Sequence, residues 1–151
     1  MQNVFDAKDA QEYINRINNL TPETQRKWGK MSVDQVLAHL NVAYDLTFTP
    51  EKFPKPSFIA KFLLSRFVKP KITNEIPYKP SLPTSPAFII ADERNFEEEK
   101  AKLIGNIQRV QQLGREAFEG KENINFGKMT AQGWNNMFAK HLNHHLEQFG
   151  V

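Results

Sequence analysis

Apolar residues recur along this chain at helical spacing, in four separate stretches. From Asp6, the residues Ala10, Tyr13, Ile14, Ile17 and Leu20 fall on one face until Thr21 and Pro22 break the pattern, which predicts a first helix to about residue 20. A second starts at Ser32, which forms a capping-box signature with Gln35. Val33, Val36, Leu37, Leu40 and Tyr44 then trace a stripe that should end near Phe48, before Pro50. The third opens at Asp92 and carries Phe96, Leu103, Ile104, Ile107, Val110 and Leu113 through about six turns. The fourth opens at Thr130 and sets Trp134, Met137, Phe138, His141, His145 and Phe149 on one side. "GKMS" before the second helix and "GKMT" before the fourth echo each other and support both starts.

Between the second and third helices lie 44 residues, Thr49 to Asp92, with eight of the nine prolines. A connection that long crosses the fold or has a task of its own. Within it "SFIAKFLLSRFV" predicts a short helix with Lys61, Ser65 and Lys69 on one stripe, Arg66 beside it, and Leu63, Leu64 and Phe67 opposite. Such a segment can lie on a membrane; the expectation is that its apolar side packs onto the protein's own helices or a second subunit. Next, Pro77, Pro80, Pro83 and Pro86 recur every three residues, the period of a polyproline II ridge. A ridge of this kind can dock in a partner's aromatic groove. A stiff arm along the protein's own helices is the expectation, because preset prolines reduce the entropy lost on ordering it.

Composition narrows the class. A chain of 151 residues, 40% apolar and 25% charged, can bury one globular core, so a single domain over residues 1–151 is expected. The absence of cysteine excludes disulfides, thiolate metal sites and cysteine nucleophiles. The N-terminal stretch lacks the pattern of a signal peptide and no apolar run approaches membrane-spanning length, so a cytoplasmic location is expected. The net charge is +3, and its excess lies between Glu51 and Pro80, where Lys52, Lys55, Lys61, Arg66, Lys69, Lys71 and Lys79 face only Glu51 and Glu75. That surface is read as solvated, with neither nucleic acid nor membrane as a partner.

The candidate chemistry lies in the histidines. His141 and His145 stand four residues apart, which puts both imidazoles on one helical face, as two ligands of one metal require. His39 lies roughly 10 Å along the second helix from its cap, and the midpoint of His141 and His145 lies roughly 9 Å from the end of the fourth. All three reach one level if those helices are antiparallel; in a parallel pair the levels would differ by roughly 6 to 12 Å. His144 points away from His145 and is an alternate ligand to it. The bland alternative is a set of packed core histidines, each with one hydrogen bond.

"WGKMSVDQVLAHL" and "GWNNMFAKHLNHHLEQFGV" together resemble the DinB/YfiT-like metalloenzyme superfamily, within it a branch known as a domain of unknown function. The resemblance implies an all-α four-helix bundle, up-down-down-up, with the proline-rich segment inserted between helices two and three. It also implies that His39, His141 and His145 bind a divalent metal, and that the protein is a homodimer. The superfamily's usual turn after the first histidine is not kept here beyond Gln148.

Three imidazoles leave a metal with open positions, the arrangement of a catalytic site. The ion can activate water for hydrolysis or hold a thiol as its thiolate; the resemblance favours a thiol transferase using a low-molecular-weight thiol on a small-molecule substrate. Zinc or nickel is the expected ion. Trp134, Tyr44 and Gln148 are candidate pocket residues. No general base stands out, since Asp45 points away from His39 and Glu147 lies outside the histidine stripe. The competing expectation is a non-catalytic dimeric bundle that binds partners through its proline-rich basic insertion.

Overall fold

In the computed structural model, which describes residues 1–80, 82 and 84–151, each periodic stretch folds as a helix whose ends are set by its caps. Helix α1, Ala7–Asn18, begins where the Asp6 side chain accepts the backbone N–H groups of Lys8 and Asp9. Helix α2, Val33–Phe48, follows Ser32, whose N–H donates to Gln35 Oε1 at 3.0 Å. The insertion then forms a continuous helical run: α3, Phe58–Leu63, a wide π turn, Leu64–Val68, and α4, Lys69–Thr73. Pro70 explains the wide turn. Its ring cannot accept the normal i−4 geometry, and Lys69 N–H instead donates five residues back, to the Leu64 carbonyl.

Helix α5, Phe96–Leu113, starts four residues after Asp92. The run Asp92-Glu93-Arg94 has no apolar side chain to bury, and the helix begins only where the Asn95 side chain accepts Glu98 N–H. Helix α6, Ala131–Gln148, is capped by Thr130, which accepts from Gly133 N–H. Before it a small hairpin pairs Glu122–Asn123 (β1) with Gly127–Lys128 (β2), antiparallel. The periodicity did not predict it, because two-residue strands carry no pattern.

Cross-contacts fix the helix directions. Val4 N–H meets Asn135 Oδ1 at 2.8 Å and Arg16 reaches both Asn143 and Val151, so α1 and α6 are parallel. Gly29 lies against Gln148, His39 against His141 and His145, and Tyr44 against Phe138, so α2 and α6 are antiparallel. Asp34 meets Arg94, Asp45 meets Lys102 and Phe48 meets Arg109, which makes α5 parallel to α2. The four helices thus run up, down, down, up. Their shared core holds Tyr13, Tyr44, Phe118, Trp134 and Phe138 among Leu37, Leu40, Leu103, Ile107, Leu142 and Leu146, all fully buried.

The insertion lies across α6. Lys140 Nζ donates to the Lys71 carbonyl and to Asn74 Oδ1, both at 2.7 Å, and Asn136 Nδ2 donates to the Thr73 carbonyl at 2.7 Å. Gly133 permits the close approach, since a Cβ there would stand 3.3 Å from Thr73 Cγ2. Of the proline ridge, Pro83 falls outside the described residues, while Pro86 opens a single 3-10 turn, Pro86–Phe88. Of the two expectations for the insertion helix, packing of its apolar side on the protein's own helices does not hold for most of it: the Lys61 and Lys69 stripe faces the hairpin, while Phe58, Ile59, Phe62, Leu63 and Phe67 face outward.

Candidate metal centre

The antiparallel packing of α2 on α6 brings His39, His141 and His145 together, with one ligand nitrogen from each lying within 4.8 Å of the others. Their ring centroids stand 4.5 to 5.0 Å apart. His39 and His145 are buried and His141 is half-buried. These three side chains are close enough to hold one metal ion among them.

Hydrogen bonds on the far side of two rings determine which nitrogen faces the cluster. His39 Nδ1 lies 2.7 Å from the Phe88 carbonyl, which can only accept, so the proton sits on Nδ1 and Nε2 keeps its lone pair. Gln148 Nε2 donates to the Trp28 carbonyl at 2.8 Å, which turns Gln148 Oε1 toward His145. His145 Nδ1–H then donates to that oxygen at 2.7 Å, and its Nε2 is also left unprotonated. His141 Nε2–H donates to His39 Nε2 at 2.8 Å, a proton that a cation would displace. A metal-binding imidazole commonly has this support on its other nitrogen.

Burial keeps the cluster neutral. Desolvation lowers the pKa of His39, against the pull of the Phe88 carbonyl, and pushes His145 down to about 3. His141 falls well below the usual imidazole range through burial and the neighbouring rings. Neutral imidazole is the form that binds metal.

The cluster opens onto a cavity of about 620 Å³, in the range of small-molecule sites. Its walls are mostly apolar: Phe53, Leu64, Val68 and Ile72 from the insertion, Met31 and Phe88, and Phe126 beside the hairpin. Tyr78, Asn123, Asn125 and His144 add polar groups, and no Asp or Glu lines it among the described residues. Asp45 is turned away onto Lys102 at 2.7 Å, and Glu147 lines a neighbouring cleft that shares Tyr78 and His144 with the cavity.

The remaining candidates separate by position. His144 lies between Trp28 and Tyr78, with its ring 4.9 Å from that of His145, and lines the cavity outside the three-histidine cluster. Trp134 and Tyr44 lie in the core instead of on the cavity wall: Trp134 packs on Phe118 and Phe138, and Tyr44 stacks on Phe138 at 4.7 Å. Their large apolar rings are held by the bundle interior, which a helical stripe alone does not distinguish from a pocket. Gln148 orients His145 without lining the cavity. Sequence reasoning missed Phe88, whose backbone carries the interaction, and Gly29. The latter has φ +83°, and a Cβ there would stand 2.5 Å from Gln148 Nε2. A glycine just before the helix-two cap was the one legible signal.

The chain matches over residues 2–150 the family described as "Protein of unknown function (DUF1569)". It belongs to that family. No curated protein and no solved structure matches it. Among the described residues no helix is long and apolar enough to cross a membrane.

Proposed function

We propose that this protein binds a divalent metal ion, zinc or nickel, through His39, His141 and His145, and uses it as a transferase that activates a low-molecular-weight thiol toward a small apolar substrate. The observation that carries the reading is the pair of Nδ1 hydrogen bonds, His39 to Phe88 and His145 to Gln148, which leave both Nε2 atoms unprotonated and turned toward the cluster, where one ion would take the place of the His141 proton. A divalent ion held by three neutral imidazoles supplies a positive centre with open positions, which favours thiolate over thiol at neutral pH.

The chain's own residues supply the rest. Phe88 and Gln148 hold two imidazoles in orientation, and the apolar walls from Phe53, Leu64, Val68 and Ile72 exclude water around a bound substrate. Tyr78, Asn123 and Asn125 offer polar groups to orient it. The lack of a cavity carboxylate among the described residues favours thiol transfer over hydrolysis, because a thiol is far more acidic than water and would release its proton to solvent on binding the ion, with no base at the site. The resemblance to the DinB/YfiT-like superfamily supports the same ligand set.

The test is elemental analysis of untagged protein after chelation and reloading, with His39→Ala and His145→Ala alongside and folding checked by circular dichroism. The expected result is near-stoichiometric metal in the wild type and its loss in both folded variants. Wild-type protein that takes up no divalent ion under any loading would show the histidines to be core residues.

A further inference from the structure

The insertion helix presents its two faces in reverse of the usual order. Lys61 is tied inward to Glu122 at 2.8 Å, and Lys69 donates to the backbone carbonyls of Phe126 and Lys128 at 3.3 and 2.6 Å. With the cationic stripe fastened to the hairpin, the apolar stripe must face solvent. Phe58 is 86% exposed, Ile59 70%, Phe62 60%, Phe67 59% and Leu63 48%. At roughly 200 Å² for a fully exposed phenylalanine, the three phenylalanines leave roughly 400 Å² of apolar surface. With Ile59 and Leu63 the stripe reaches the top of the ~300–600 Å² found for the largest patch on a typical monomer. A surface of that size, held outward by specific hydrogen bonds, is of the kind that marks a contact face.

Charge identifies the kind of partner. Along the chain on either side of the stripe the exposed charged groups are Lys52, Lys55, Arg66, Lys71 and Lys79 against Glu51 and Glu75, five cations and two carboxylates, with the exposed Glu122 held against Lys61. A two-fold pairing of this face with a second copy would set one cationic rim against another, which is unfavourable. Nucleic acid would match the charge, and single strands can stack on phenylalanines, but Ile59 and Leu63 would be left without a role. An anionic lipid surface satisfies both features: the aromatic and aliphatic stripe enters the headgroup boundary while the lysines and arginine meet lipid phosphates and carboxylates.

We propose that the helical run Phe58–Thr73 docks this protein peripherally on an anionic membrane surface through Phe58, Ile59, Phe62, Leu63 and Phe67. This departs from the sequence-based expectation of no membrane contact, which has the apolar side packed on the protein's own helices or on a second subunit. The opposite side of the same run, Leu64, Val68 and Ile72, walls the cavity. On the reading of that cavity as a substrate site, docking places one of its walls beside the bilayer and suits a substrate drawn from lipid. The docking itself does not depend on the metal.

Co-sedimentation of the full chain with vesicles tests the proposal, using vesicles in which about one lipid in three is phosphatidylserine, with phosphatidylcholine vesicles as the neutral comparison. Binding to the anionic vesicles should be at least about tenfold stronger and weaken with salt. A Phe58→Ser/Phe62→Ser variant should lose about tenfold or more while keeping wild-type circular dichroism and metal content, because both side chains are exposed. A Lys55→Ala/Arg66→Ala variant should lose binding to anionic vesicles selectively. No binding to anionic vesicles at low salt, or binding unchanged by the phenylalanine variant, would overturn the proposal. So would a solution dimer that the phenylalanine variant dissociates in a protein that ignores vesicles, since the face would then belong to a second copy.

Discussion

Gln148 would govern metal affinity without touching the ion. Its amide is held by the Trp28 carbonyl on one side and receives His145 Nδ1–H on the other, so it sets the ring's tautomer and angle together. Gln148→Met keeps much of the volume and removes the acceptor. It should weaken metal binding by about tenfold to a hundredfold, read by competition with a chromophoric chelator. Gly29 acts one step further out. Gly29→Ala meets both a left-handed backbone and the Gln148 amide, so it should cost about 1–3 kcal/mol of stability and also weaken metal binding. Gly114, at φ +71° with nothing near its absent Cβ, is the control: Gly114→Ala should lose stability and leave the metal untouched. If both variants bind metal equally, the Gly29 contact has no part in the site. The three histidines are legible in sequence because two share a helical face and the third lies at a matching level. Phe88 is not, because it acts through a carbonyl 49 residues from His39, and the glycine before the helix-two cap is visible but its role is not, because Gln148 meets that segment at the Trp28 carbonyl across 120 residues.

Among the elements, the helices follow from periodicity and caps, and α2, α6 and the Asp6 start fall where the pattern puts them. For the three imidazoles to share a level α2 and α6 must be antiparallel, and the contacts of Gly29, His39 and Tyr44 with α6 make them so. The insertion is where local pattern fails. Amphipathicity shows that α3 has two faces, but which face turns inward is set by Glu122 and the hairpin carbonyls that anchor Lys61 and Lys69. Lys140 anchors α4 in the same way, buried among acceptors from Lys71 and Asn74 and lowered in pKa by that desolvation. Lys140→Met leaves two acceptors without their donor, at a cost of about 1–3 kcal/mol. Amide exchange over Lys69 to Asn74 should speed up relative to α5. Unchanged exchange there would mean that Asn136 and Gly133 hold the segment alone.

Across the protein as a whole, the buried imidazoles link folding to pH. Burial holds His39, His141 and His145 neutral in the native state, with His145 at about 3, whereas in the unfolded chain they return to the ordinary value of 6.5. Below 6.5 the unfolded chain therefore binds more protons, and stability falls as pH falls toward the native values. At about pH 5.5, His145 alone should remove roughly 1.4 kcal/mol from the metal-free protein. Urea unfolding of chelated protein at about pH 7.5 and 5.5 reads this directly. A midpoint that does not move would mean that the cluster takes up protons while folded.

The helices, their caps, the absence of cysteine chemistry and the identity of three residues able to share a metal could all be read from the chain alone, because each depends on composition, on neighbours within a turn or two, or on a residue's distance from a helix end. Long-range packing settled the remainder. It chose which imidazole nitrogen faces the cluster, and it drew Trp134 and Tyr44 into the core instead of the cavity wall. It also left the cavity without carboxylates among the described residues and turned the phenylalanine face of the insertion outward. Each of those outcomes depends on groups brought together from distant parts of the chain, where local periodicity carries no information.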